Sequence, residues 1–285
     1  MTGNPTMTGN PTMTGSPAAE PEPDRRGEFV EALAKGLSVI EAFSEERPAM
    51  TLSDVARHTG MSPATARRSL HTLVALGYVR LVDRRFVLSA RVLTLGAAYL
   101  KAANIEELVQ PELRRIVGRF GDAASVAVLE GTDILYIAHY SEQRAARMVA
   151  GVGVTYPAYA TSLGRVLLSG LAPAELDAFL ARISPRALTD RTVTDKDRLR
   201  AIVDEARRRT FAIAVDELDY GITALAVPIK DPAGRVMAAL NSSGYSGRLD
   251  AATMVGERLE GLQESAAAIS QAIRRHPALA ASIGR

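Results

Sequence analysis

Residues 51–88, TLSDVARHTGMSPATARRSLHTLVALGYVRLVDRRFVL, leave the chain few structural choices. Thr51 to Ser53 offer caps for a short helix near residues 54–58, and Thr59-Gly60-Met61 reads as a tight turn. Ser62-Pro63 is a helix start: the hydroxyl caps, and proline fills the first helical position, where its missing N–H costs nothing. From there to about Leu76, Ala66, Leu70, Leu73 and Gly77 recur on one side, while Thr65, Arg68, His71 and Thr72 gather on the other with Arg67 on the flank. One face can pack and the other presents hydrogen-bond donors.

A short helix, a glycine turn and a second capped helix make a helix-turn-helix, whose second helix is the one that reads base edges in a major groove. Two short β-prone runs follow, 78–82 and 86–88, separated by Asp83-Arg84-Arg85, and they read as a wing. Charge supports the same reading. From Arg57 to Arg91 there are seven arginines and one acid, Asp83, a local surplus of +6 in a chain whose net charge is only +2, so the remainder carries −4. Such a patch is the footprint of a polyanion binder. Aromatics make up 5% of the chain, and the basic segment offers only Tyr78 and Phe86 as stacking platforms, which favours duplex over single-stranded nucleic acid.

Around this segment the chain divides by composition. Residues 1–27 contain MTGNPT, MTGNPT and MTGSPA in succession, beginning at Met1, Met7 and Met13, and then a Pro/Glu/Asp/Arg stretch; lacking large apolar side chains, this part is expected to be a disordered tail. The repeated methionines leave three possible starts. Phe29, Leu33, Leu37, Ile40 and Phe43 open the folded part as an apolar helical stripe. Ser89 caps a helix to about Ala103, and a further helix is expected over 106–120. Strands are expected at 122–128 and 134–140 around Glu130-Gly131-Thr132-Asp133, at 148–154, and at 223–230 and 235–242 around Asp231-Pro-Ala-Gly234. Helices are expected after Thr161-Ser162, at 173–183, at 196–210 and at 251–274. Strands interleaved with helices point to an α+β class.

Several chemistries find no support in the sequence. The chain has no cysteine, so disulfides, thiolate zinc sites and a cysteine nucleophile are out. Its four histidines (58, 71, 139, 276) have no ligand spacing, and no metal site or cofactor is expected. Ala160-Thr-Ser162-Leu-Gly164 lacks the first glycine of a nucleophile elbow, Gly151-Val-Gly153 is too short for a dinucleotide loop, and Asp216-Glu217, if on a strand, would point to opposite faces. The chain is not expected to be an enzyme. No stretch approaches the roughly 20 apolar residues of a membrane helix, and the N-terminus has no signal-peptide layout, so no membrane partner and a cytoplasmic location are expected.

Three separated segments, the winged motif above, GVGVTYPAYATSLGRVLLSGL and DELDYGITALAVPIKDPAGRVMAALN, together closely resemble IclR-type bacterial transcriptional regulators, over about residues 28–276. PAYATSLGRVLL and AVPIKDPAGRVMAALN are most similar to the branch controlling aromatic-acid breakdown through the β-ketoadipate route. The resemblance implies a tail (1–27), a winged helix-turn-helix domain (28–89), a linker helix that dimerises (90–104), a GAF-like α/β effector domain (105–276) and a C-terminal tail (277–285). It implies a homodimer or tetramer that binds double-stranded promoter DNA under control of a small organic acid. Ser62, Thr65, Arg67, Arg68, His71, Thr72, Arg84 and Arg85 are the expected DNA contacts. Carried over by position, Thr161, Ser162 and Leu163 would form one wall of the effector site, Asp216, Glu217, Ile222, Ala224, Asn241 and Ser243 the other, with Arg147 as a carboxylate partner. Two departures stand out: Thr155 and the Ile222-Thr223-Ala224 run occupy places where that branch carries arginines, so a cationic anchor is missing. The rival readings are a sensor without DNA affinity and a hydrolase on the C-terminal domain.

Overall fold

The computed structural model describes residues 29–276 except 45, 103 and 143–150, together with Ile283. The chain forms two compact units that divide after Val92.

In the first unit, helix α1 (Glu31–Glu41), strand β1 (Ala49–Met50), helices α2 (Leu52–Thr59) and α3 (Pro63–Ala75), and strands β2 (Val79–Val82) and β3 (Arg85–Leu88) follow one another. Local signals set these limits. Thr51 and Asp54 close a capping box at the start of α2: the Thr51 hydroxyl accepts from the Asp54 N–H, and the Asp54 carboxylate accepts from the Thr51 N–H at 3.1 Å. The Thr51 hydroxyl also donates to that carboxylate, which holds Asp54 below the usual carboxylate range. Gly60, at φ +68°, ends α2 in the left-handed conformation that a side chain resists. Val39, Val55, Ala66, Leu70, Val79 and Phe86 form the core. The expected apolar stripe is split: Ile40 and Phe43 pack against the core beside Val39 and Ala42, whereas Phe29, Leu33 and Leu37 are exposed.

β3 lies between β1 and β2, all antiparallel. The two-residue β1 was not anticipated, since a strand this short carries no period; it pairs Ala49 with Val87 and Met50 with Phe86. The β2–β3 hairpin turns through Asp83 and Arg84 alone, at φ +45° and +65°. Left-handed geometry at both central residues is what a two-residue turn between twisted strands requires.

The second unit begins with α4 (Leu93–Ala102), preceded by a 3-10 turn (Ala90–Val92). The single helix expected over 106–120 is two, α5 (Ile105–Leu108) and α6 (Gln110–Phe120), because Pro111 has no N–H to continue the ladder. A six-stranded antiparallel sheet follows, in the order β6-β5-β4-β9-β8-β7, built from β4 (Ala123–Glu130), β5 (Asp133–Ser141), β6 (Thr155–Pro157), β7 (Ala212–Val215), β8 (Ile222–Lys230) and β9 (Val236–Tyr245). Interleaved with them are α7 (Ser162–Ser169), α8 (Pro173–Arg182) and α9 (Lys196–Arg209), and α10 (Ala251–Arg275) closes the unit. One sheet face packs on α6 and α10 through Leu113, Ile116, Val126, Leu225, Leu240 and Leu262. The other packs on α7, α8 and α9 through Leu163, Val166, Phe179 and Val203.

The α+β class stands, with three corrections to its elements. Residues 148–150 of the expected third strand lie outside the described residues, and Gly151 to Val154 make a turn with Gly153 at φ +87°, so the strand starts only at Thr155. β7 was missed; its AIAV is too short and too small in side chain to signal itself. Asp216-Glu217 is not on a strand but in the bend after β7, with Asp216 at φ +55°.

Candidate nucleic-acid interface and ligand site

On α3, Ala66, Leu70 and Leu73 are buried, and Ala64, Arg67, Arg68, His71, Thr72 and Ala75 line the exposed face. The side chains of Arg67, Arg68 and Arg84 make no hydrogen bond or ion pair within the described residues, so their guanidinium groups are available to an outside partner. Arg85 is also exposed but donates to the Ala49 carbonyl at 3.4 Å, tying β3 to β1. Ser62 is exposed and holds the helix start: its oxygen accepts from the Thr65 N–H at 3.3 Å, and its hydroxyl donates to the half-buried Thr65 side chain at 3.0 Å. Thr72 donates to the Arg68 carbonyl at 2.9 Å, leaving its methyl group outward. Arg57, by contrast, is paired with Asp54. Ala64 was not among the expected contacts, yet it shares the exposed face with both arginines; a methyl there suits a thymine methyl.

In the second unit the pairing register assembles a floor on the sheet face beneath α7. His139, Ser125, Asn241, Ala226 and Ala212 stand directly opposite one another across β5, β4, β9, β8 and β7. Paired residues share a face, and Ala226 and Ala212 belong to the core beneath α7, which puts the whole row on that side. Tyr136, Ala127, Ala239 and Pro228 make the next row, and Ser141, Ala123, Ser243, Ala224 and Ala214 the row on the opposite flank. Small side chains thus line most of the floor. Pro228 is tolerated inside β8 because β7 has already ended beside Ala226, so its missing N–H interrupts no ladder.

α7 approaches this floor with its N-terminus. Thr161 caps it, accepting from the Gly164 N–H at 3.0 Å. Ser162 is 1% exposed and its Oγ has no partner; Asn241 is 4% exposed and its Oδ1 likewise has none. Buried polar atoms are nearly always matched, so these two unmatched ones, on α7 and on the strand β9 that packs against it, call for a ligand or ordered water. Leu163 is buried beside them, Ala224 is buried on the floor, and Ile222 and Ser243 are half-buried.

Two expected wall residues are committed elsewhere. Asp216 Oδ1 accepts from the Gly221 N–H at 2.8 Å and the Ser246 hydroxyl at 2.7 Å, closing its own loop. Glu217 is ion-paired with the buried Arg165 on α7, whose Nη1 also donates to the Ile213 carbonyl at 2.8 Å. Arg147 lies outside the described residues. Thr155, one of the two places where an arginine is missing, is exposed on β6. At the other, Thr223 is fully buried, and strand alternation with Leu225 and Val227 puts it on the α10 side of the sheet, its hydroxyl unmatched.

Sequence reasoning missed Ser125, His139 and Arg165. The first two meet only through register, with Ser125 Oγ and His139 Nδ1 2.9 Å apart. Burial holds His139 below its ordinary 6.5, favouring the neutral ring. The unfolded chain therefore takes up a proton at a higher pH than the folded one, and the His139 contribution to stability is present above pH 6.5 and lost as pH falls below it. His139→Gln is expected to reduce this acid-side loss in a series of urea titrations between pH 7.5 and 5; an unchanged slope would show that His139 is not responsible.

Comparison with known proteins finds a family match for each unit. Residues 32–83 match the IclR helix-turn-helix domain, and residues 97–271 match the family model described as bacterial transcriptional regulator IclR C-terminal. The Pca regulon regulatory protein of Pseudomonas putida is 40% identical over 223 residues, covering 78% of this chain and 77% of that protein. A crystal structure from Rhodococcus sp. RHA1 superposes with a TM-score of 0.73 at 38% identity, covering 89% of this chain and 99% of that one. An IclR homolog from Microbacterium hydrocarbonoxydans, complexed with 4-hydroxybenzoate, superposes at 0.70 with 28% identity, covering 88% and 99%.

Proposed function

The chain belongs to the IclR family of bacterial transcriptional regulators, and on that premise we propose that it reads double-stranded promoter DNA through α3 and the β2–β3 wing, under control of a small organic acid held beneath α7. The observation that carries this reading is the exposed face of α3, where Arg67 and Arg68 stand unpaired next to a wing whose tip is Arg84. We assign 28–89 to DNA, 90–104 to the linker and 105–276 to the effector. The 4-hydroxybenzoate bound by the Microbacterium homolog supports an aromatic acid as the effector class. The relatives are regulators, and no role in this scheme calls for catalysis. No helix among the described residues is long and apolar enough to cross a membrane, and the protein acts where the DNA is, in the cytoplasm.

Homodimer or tetramer formation draws support from unsatisfied apolar surface. Phe29 (67% exposed), just before α1, and Leu33 (63%) and Leu37 (47%) on it are exposed, and α4, which includes Leu93 and Leu95, has no buried residue at all. A second copy would cover such surface. Control by the acid then requires that it bind one arrangement of the copies better than another.

Arg68→Ala is expected to flatten discrimination between matched and scrambled operators by about 1–3 kcal/mol, the worth of an arginine forked onto guanine. Arg84→Ala should weaken all duplexes alike and lower the salt slope by about one phosphate contact. Gel-shift titrations of both variants on both DNAs test this; equal losses for Arg68→Ala on every duplex would reject its role in reading sequence.

A further inference from the structure

The charges of the first unit are sorted by sign along the chain. Residues 1–24 carry Glu20, Glu22 and Asp24 but no lysine or arginine, whereas residues 57–91 carry the +6 surplus described above. The cations of the folded part divide in turn. Lys35, Arg47 and Arg57 each have a carboxylate partner, and the side chains of Arg67, Arg68 and Arg84 have none among the described residues. α3 has no acid along its length, so nothing on it offsets the positive end of the helix or its two arginines. The fold brings the acids within range of that face. Glu31, Ala34 and Lys35 line one groove with Gly60, Ser62 and Thr65, which sets the first turns of α1 beside the start of α3. Asp24 stands seven places before Glu31, a reach of up to about 24 Å of extended chain. The 13 residues of α3 span only about 20 Å. Pro21 and Pro23 alternate with the acids, and in extended backbone this alternation sets successive carboxylates about 6 Å apart, so neighbouring arginines can each meet one.

We propose that Glu20-Pro-Glu22-Pro-Asp24 is an intrachain stand-in for DNA phosphate, docking on the Arg67 and Arg68 face of α3 in the free protein and leaving when a duplex binds. The proposal rests on the reading of α3 as the helix that meets DNA. Tethering is what makes the contact count. An exposed ion pair contributes at most about 1 kcal/mol, too little to hold a separate peptide. A short tether, however, keeps the acids near the arginines at an effective concentration of about millimolar or more. The contact is therefore weak enough to yield to a duplex, which offers many phosphates at once, and strong enough to lower the affinity for every duplex by the same factor. Salt weakens it in the same way as it weakens phosphate contacts.

The test neutralises the acids in the full chain, as Glu20→Gln/Glu22→Gln/Asp24→Asn, and compares duplex binding with that of the parent by fluorescence anisotropy. The substitutions lie ahead of the first described helix, and an unchanged unfolding temperature verifies that the fold is intact. The neutralised chain is expected to bind every duplex about two- to fivefold more tightly at about 50 mM salt, with the difference closing by about 300 mM. The same neutralisation made together with Arg67→Ala/Arg68→Ala should give no gain over Arg67→Ala/Arg68→Ala alone, because the acids then have nothing to cover. A gain that survives loss of both arginines would mean that the acids merely repel DNA, and the docking would be overturned. Equal affinities of parent and neutralised chain at low salt would also refute the proposal while leaving the DNA reading intact. Failure of both chains to bind any duplex at low salt would sink that reading, and the proposal with it.

Discussion

Gly164→Ala is expected to cost the C-terminal unit about 3 kcal/mol or more, among the largest effects a single methyl can have. A Cβ at Gly164 would stand 2.5 Å from both the Cα and the carbonyl carbon of Ala158, and closer still to its oxygen. All of these are backbone atoms of the 3-10 turn Ala158–Ala160, whose three residues are themselves buried, so nothing flexible can yield. The chain uses glycine here because the start of α7 lies directly on that turn. Gly118→Ala supplies the control. It lies in α6 with open space around its Cβ, and alanine there is expected to stabilise by about 0.5–1 kcal/mol. Calorimetric unfolding of the two variants makes the comparison, and a Gly164→Ala transition within 1 °C of the parent would mean that α7 can slide off the turn and that the described seating is wrong.

The second large effect concerns the ion pair beneath α7. The side chains of Arg165 and Glu217 are only 4% and 10% exposed, and Glu217 also accepts from the Val193 N–H while its carbonyl accepts from Thr192 at 2.7 Å. Glu217→Ala leaves a buried guanidinium without its counter-charge, and removal of one partner from such a pair typically costs about 3–5 kcal/mol. Replacing both, as Arg165→Met with Glu217→Leu, should recover most of that loss, because the desolvation of two charges disappears along with their attraction. Urea unfolding of the two single variants and the double variant measures the coupling. Additive losses would show that the two side chains act independently, contrary to the geometry.

Legibility followed the range of the interactions. The start of α3 was readable because Ser62, Pro63 and Thr65 settle it among themselves, within one turn. The hairpins at Gly131 and Gly234 were readable for the same reason, since turn chemistry is local. The floor beneath α7 was not: Ser125, His139 and Asn241 become neighbours only once three strands have a register, and no spacing in the chain encodes that. Asn241 and Ser162, named from the resemblance, lie on elements that pack against each other, but the resemblance gave no means of seeing that Glu217 is spent on Arg165 or that Asp216 closes its own loop. Arg165 stood in plain view in ATSLGR and was passed over, because burial of an arginine is decided by a carboxylate far along the chain. The stripe at the start of the folded part was legible only in its second half: Ile40 and Phe43 pack on this unit's core, whereas Phe29, Leu33 and Leu37 have the same helical period and stay exposed.

Whether the first unit seats a cationic helix in duplex DNA is read from the salt dependence of binding to a duplex that the purified protein selects from random sequence. Nanomolar-range binding is expected at low ionic strength, falling about a hundredfold or more between 50 and 200 mM salt, as release of counterions from about four or more phosphates requires. An Arg67→Ala/Arg68→Ala variant with unchanged unfolding temperature is expected to bind much more weakly and to lose about one to two phosphate contacts from that slope. Affinity indifferent to salt, or full affinity in the doubly substituted protein, would contradict it.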